Sequence, residues 1–133
     1  MSSFRTVTPT FSVAPQIAVD DLAAAKAEGF SRVINNRPDG EAMGQPSSAA
    51  MSAAAELAGL DYVWNPIVGA PTPEQADTQA LVASGAGRTL AFCRSGTRSI
   101  TAWAMGQARS GALSADELVR LGEGAGYDLS WLR

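Results

Sequence analysis

The stretch "FCRSGTRS" sets a cysteine, Cys93, where an apolar run gives way to small polar and cationic residues. Cys93 is the chain's one cysteine, and Arg94, Ser95, Gly96, Thr97, Arg98 and Ser99 follow it directly. A loop passing from a strand end into a helix start points several backbone N–H groups into one concavity, and the helix dipole adds positive potential there. Cysteines in such surroundings ionise at pKa values of about 3.5–7.5, against about 8.5 for a free thiol. The pattern describes a nucleophile activated by its own loop. Gly96 admits backbone angles closed to other residues and lets an anion approach. Arg98 offers a planar fork of donors to an oxyanion, aided by the backbone amides of residues 94 to 99. Ser99 can donate to the thiolate or help cap the helix. Arg94 is expected to point outward toward a charged substrate, with Ser95 and Thr97 completing the substrate-binding loop. The competing reading is a buried cysteine ending a strand beside a turn, and it leaves the spacing unexplained.

What the chain lacks narrows the chemistry further. It has no histidine, which removes Ser-His-Asp and Cys-His hydrolases and imidazole metal ligands. With one cysteine there is no internal disulfide, and a zinc site is not expected. Ten basic against thirteen acidic residues give a net charge of −3, which argues against nucleic acid or an anionic membrane as partner. No apolar run is long enough to cross a bilayer. The opening "MSSFRTVTPTF" has neither the basic nor the apolar region of a secretory signal, so a cytoplasmic location is the expectation.

The elements that must position Cys93 follow from apolar spacing and end signals. Phe4 to Thr8 and Phe11 to Ala14 read as a hairpin about Pro9-Thr10. "DDLAAAKAEG" reads as a helix, "SRVIN" as a buried strand, and "NRPDGEAMGQP" as a loop. "SSAAMSAAAELAG" is a helix stopped by Gly59, and "LDYVWNPIV" a strand broken by Pro66. Thr72-Pro73-Glu74-Gln75 opens the next helix with a capping box, and Ser114 with Glu117 opens the last one. Between them "TLAF" is the strand that delivers Cys93, and "SITAWAMGQARSG" is the helix beyond it. Residues 1–133 therefore form a single α/β domain with a mostly parallel sheet covered by helices on both faces. Trp64, Trp103 and Trp131, and likewise Met43, Met51 and Met105, read as packing residues, whereas Asn65 is odd at a strand position.

"FCRSGTRS" is C-x4-R and resembles the active-site loop of single-domain rhodaneses. The wider pattern, "VINNRPDGE", "QP" before a helix, a strand reaching a proline, "CRSGTRS" and then "GYDLS", resembles the beta-lactamase-hydrolase-like phosphatase family (DUF442) from about Val33 to Ser130. That resemblance implies a dual-specificity or tyrosine-phosphatase-like fold, and phosphatase-like or sulfurtransferase activity. It also implies a possible metallo-beta-lactamase-fold persulfide dioxygenase as partner, and a place at the pocket for Asn36 and Arg37. Tyrosine phosphatases use C-x5-R and an acid on a separate loop, which by resemblance should follow "DYVWNPIV". Here "GAPTP" follows, with no carboxylate before Glu74; Asp39 or Glu41 is left as a possible general acid. Sulfur transfer through a Cys93 persulfide makes no such demand, because sulfite or a thiolate leaves unprotonated. The sequence therefore favours sulfur transfer, with phosphate-ester hydrolysis through a phosphocysteine as the alternative. A non-catalytic anion- or redox-sensing module is the third. In each case the ligand is a small anion (thiosulfate, a persulfide or a phosphate ester), and neither reaction calls for a cofactor.

Overall fold

Strands and helices alternate along the chain in the computed structural model, which describes residues 3–133. Among these residues an antiparallel pair, β1 (Arg5–Thr8) and β2 (Phe11–Ala14), leads into helix α1 (Asp21–Ala27) and strand β3 (Phe30–Asn35). Then come α2 (Ser48–Ala58), β4 (Asp61–Trp64), α3 (Pro73–Ala83), β5 (Arg88–Phe92), α4 (Thr97–Ser110) and α5 (Ala115–Ala125). A 3-10 turn at Ser130–Leu132, which carries no signal in the sequence, follows. Both capping boxes form as expected, Thr72 with Gln75 and Ser114 with Glu117, and Pro73 occupies the first turn of α3.

The strands form one sheet in the order β1-β2-β5-β3-β4, parallel throughout except between β1 and β2. Period-two alternation gives this sheet two apolar faces. Val13, Ile34 and Ala91 face a core built with Ile100, Trp103, Leu118 and Val119 from α4 and α5. Val33, Leu90 and Phe92 face the other, built with Leu22, Ala25, Met51 and Ala55 from α1 and α2. Full burial of each large side chain contributes about 1.5–3 kcal/mol. Phe11 stacks on Trp103 at 4.9 Å between ring centroids, which ties α4 to the hairpin. Gly106 lets α4 approach α3 closely, since a Cβ there would meet the Ala76 carbonyl and the Ala80 side chain.

The register matters most for function. Asn35 pairs with Trp64 on one side and Phe92 on the other, so β3, β4 and β5 end level. The residues just beyond, Asn36, Asn65 and Cys93, therefore leave the sheet along one carboxyl edge. The Asn36 N–H donates to the Phe92 carbonyl at 2.8 Å and the Asn65 N–H to the Asn35 carbonyl at 2.9 Å. Ligands of parallel α/β sheets bind at this edge.

Candidate active site

Cys93 is fully buried at the end of β5, the central strand. Its sulfur accepts the Gly96 N–H at 3.1 Å, the amide of the expected ring that reaches Sγ. Gly96 has φ +90° and is the residue from which α4 starts, with no side-chain cap on the helix. A side-chain cap would occupy the first-turn N–H groups that an anion can use. The exposed Thr97 N–H is the exception, donating to Ser95 Oγ at 3.4 Å. Arg94, Ser95 and Thr97 are exposed, and Arg94 lies outward as its neighbours imply.

Arg98 is drawn into the site. Its Nη1 and Nη2 donate to Glu41 Oε2 and Oε1, both at 2.8 Å, and Nη1 also donates to the Ile67 carbonyl at 2.7 Å. Arg37, whose side chain is 5 % exposed, donates Nε to the same Glu41 Oε1 at 2.9 Å and Nη1 to Gln16 Oε1 at 3.2 Å. The Arg98 hydrogen bonds, joined by those of Arg37 and opposed by burial, hold the Glu41 carboxyl down at about 2. In turn the Glu41 hydrogen bond, with a further contribution from the Cys93 sulfur, pushes the Arg98 pKa up, against partial burial. Two guanidinium groups thus converge on one carboxylate. Glu41 comes from the loop after β3, Arg98 from the start of α4.

Several sequence-based expectations need correction. Ser99 neither caps α4 nor bonds the sulfur: it is the third residue of the helix, and its Oγ is buried without a hydrogen-bond partner. Asn36 is fully buried, with its side-chain amide taken up by protein partners. Its Nδ2 donates to the Asn65 carbonyl at 2.9 Å and to Gln79 Oε1 at 2.8 Å, while its Oδ1 accepts Gln79 Nε2 at 2.7 Å. Asp39 Oδ1 accepts the Ser48 N–H at 2.7 Å at the start of α2, whereas Glu41 is the carboxylate that meets Arg98. Met43 and Trp131 are exposed, not core, as is Trp64 in part; its Nε1 donates to the Arg37 carbonyl at 3.0 Å. Asn65 lies just past β4 and donates to Gln79 Oε1 at 3.1 Å.

Two further residues, neither among the expected site residues, contact the loop and its surroundings. Gln79 of α3 sits beneath the site and also donates to the Ser99 carbonyl at 3.2 Å. It lies between Ala76 and Ala83 on the buried side of α3. Tyr127 donates its hydroxyl to the Ser95 carbonyl at 2.8 Å, bracing the loop from outside. A groove of about 260 Å³ adjoins Arg98 and Thr97, floored by Met105 and walled by Ala70, Pro71 and Trp131. Its surface is mostly apolar, with Arg98, Thr97 and Thr101 as the polar residues of the lining. Among the described residues no cluster of three His, Cys, Asp or Glu side chains could hold a metal ion, and no helix is long and apolar enough to cross a membrane.

With this geometry the comparisons with known proteins become specific. A beta-lactamase hydrolase-like protein of Agrobacterium fabrum is 36% identical over 121 residues, covering 89% of this chain and 28% of its own length. The chain thus spans less than a third of that relative. A candidate phosphatase of Neisseria meningitidis has the same fold at a TM-score of 0.84 and 25% identity, with each chain covered in full. A DUF442 candidate phosphatase from Shewanella putrefaciens gives 0.71 at 18% identity, covering 97% of this chain and 83% of its own. The fold is therefore of the dual-specificity and tyrosine-phosphatase-like kind. The model of the phosphatase-like domain of beta-lactamase hydrolase-like proteins matches residues 3–110, and it is to this family that the chain belongs.

Proposed function

We propose that the chain is a phosphatase that cleaves phosphate monoesters through a Cys93 phosphocysteine. The observation that carries this reading is the Gly96 N–H directed at Cys93 Sγ at 3.1 Å, with Arg98 at the same loop of a phosphatase-like fold. The Cys93 thiolate attacks phosphorus, an S–P bond forms, and the ester P–O bond breaks with its electron pair leaving on oxygen. Water then attacks the phosphocysteine, the S–P bond breaks, the thiolate returns, and a water proton passes to solvent. Arg98 and the loop amides take the charge on the equatorial oxygens.

The missing acid shapes the substrate. No carboxylate stands between Pro66 and Pro73, and Glu41 at about 2 has no proton to give near neutral pH. The leaving group must depart as a stable anion, which favours phenols over alcohols. The apolar groove beside Arg98 offers an aryl group a bed.

Sulfur transfer remains a second reading because the same lack of a proton donor suits it. Thiolate attack on thiosulfate breaks the S–S bond, and sulfite carries away the electron pair. The rhodanese-like loop and a persulfide dioxygenase partner rest on resemblance alone, whereas the similar solved structures from Neisseria and Shewanella are named as candidate phosphatases. The test is paired. Aryl phosphates should be hydrolysed by the wild type and not by Cys93→Ser, with rates falling steeply as the phenol pKa rises. No phosphate release, together with a single added sulfur on Cys93 by intact mass after thiosulfate, would transfer the assignment to sulfur chemistry.

A further inference from the structure

The peptide bond between Ser95 and Gly96 is gripped at both ends. Its carbonyl accepts the Tyr127 hydroxyl at 2.8 Å, and its N–H donates to Cys93 Sγ at 3.1 Å. The bond is trans, so the carbonyl and the N–H point in opposite directions across one rigid plane. Whatever turns the carbonyl outward therefore turns the N–H inward, onto the sulfur. Gly96, at φ +90°, has no side chain to resist rotation of that plane. The reverse orientation would aim the negative end of the Ser95 carbonyl at the thiolate.

We infer that Tyr127 is a positioning residue for the nucleophile: its hydroxyl latches the Ser95–Gly96 peptide in the orientation that keeps the Gly96 N–H on Cys93. The inference rests on Cys93 being the reactive group, and it is the same whether the thiolate attacks phosphorus or sulfur. Tyr127 is itself firmly placed. Helix α5 ends at Gly126 with φ +90°, and the Tyr127 N–H donates back to the Gly122 carbonyl at 2.8 Å. The Arg5 guanidinium of β1 lies over the ring, 5.2 Å from its centroid. Burial first, opposed by Arg5 and helped by the Cys93 sulfur, pushes the Tyr127 pKa up, so the hydroxyl keeps its proton and remains a donor. Arg98 of α4 also faces the sulfur, with Glu41 behind it, and Arg94 is exposed. From β2 comes the uncharged Ala14, whose carbonyl accepts the Cys93 N–H at 3.4 Å.

Tyr127→Phe removes the latch and keeps the ring. Its Cys93 should react with iodoacetamide about three- to tenfold more slowly near about pH 7, with the deficit closing toward about pH 9.5 as the thiolate forms in both proteins. In amide-resolved NMR spectra the Gly96 N–H should exchange with solvent faster, while the amides of β5 stay as protected as in the wild type. An unchanged alkylation rate near neutral pH, a deficit of the same size at both pH values, or an unchanged Gly96 amide overturns the inference. Loss of protection across β5 as well would mean a general loosening and likewise overturns it. The two readings fail separately: the expected alkylation profile without Cys93-dependent phosphate release sinks the phosphatase and keeps the latch, and intact turnover with unchanged alkylation does the reverse.

Discussion

Tyr127 braces the loop after Cys93 through Ser95, donating its hydroxyl to the Ser95 carbonyl at 2.8 Å. The same hydroxyl fills the space that a Cβ on Gly96 would need, and Gly96 stands at φ +90°. Gly96→Ala therefore meets two obstacles, a left-handed backbone that side chains resist and a displaced Tyr127. About 1–3 kcal/mol of strain at the residue that binds the sulfur should lower kcat on an aryl phosphate roughly ten- to hundredfold. Tyr127→Phe should cost about 0.5–1.5 kcal/mol of stability in urea unfolding. Combining the two should recover part of the Gly96→Ala loss. Strictly additive effects on kcat would show that the hydroxyl is not what Gly96 avoids.

The buried amides of Asn36 and Gln79 form a bolt under the site. They join the ends of β3 and β4 to α3, and through the Ser99 carbonyl to α4. Removing one partner strands the other in a dry interior, at about 1–3 kcal/mol for each unsatisfied group. Asn36→Ala and Gln79→Ala should each destabilise by about 2–3 kcal/mol in denaturant titration, and the double variant by clearly less than their sum. If each single change costs below about 1 kcal/mol, the bolt is not holding the edge together.

What the sequence shows and what it hides divide along local and non-local physics. The strand-loop-helix around Cys93 is legible because an apolar run, Gly96 and a helix start are signals within a few residues of one another. The capping boxes at Thr72 and Ser114 are legible for the same reason. The Arg98–Glu41 pair joins residues far apart in the chain, and no local pattern distinguishes Glu41 from Asp39 as the partner. The loop after β3 brings Glu41 to Arg98 and Arg37 and turns Asp39 toward α2. Asn36 misleads because a polar residue after a strand looks like a site residue, while its partner Gln79 lies on a helix whose buried face reveals nothing of what it meets. Strand order, which puts β5 in the centre, is equally invisible along the chain.

Ser99 has a buried hydroxyl without a partner, a cost of about 1–3 kcal/mol where it occurs. Ser99→Ala removes that cost, so the variant should be as stable as the wild type or more stable by up to about 1 kcal/mol. If the hydroxyl finds its partner only when Cys93 carries a phosphoryl group, kcat should fall about tenfold with KM unchanged. Rapid-quench measurement should then show phosphocysteine accumulating. Unchanged kcat would make Ser99 a packing residue only.

Glu41 gives the fold a defined acid limit. Its carboxyl is held at about 2, against 4.5 for the free side chain, by Arg98 and then Arg37. A lowered folded-state pKa means stability that is fully present above about 4.5 and lost as the pH falls toward about 2. Glu41→Gln should therefore be less stable than the wild type by about 1 kcal/mol near neutral pH, a modest value because the pair is partly exposed. That gap should hold down to about pH 4.5 and close below it, read as urea midpoints of the two proteins across the acid range. The wild type should show no gain in turnover between about pH 7 and pH 4.5 attributable to a protonated Glu41, since none forms there. A gap that closes already near neutral pH would mean that the arginines do not hold this carboxylate in solution.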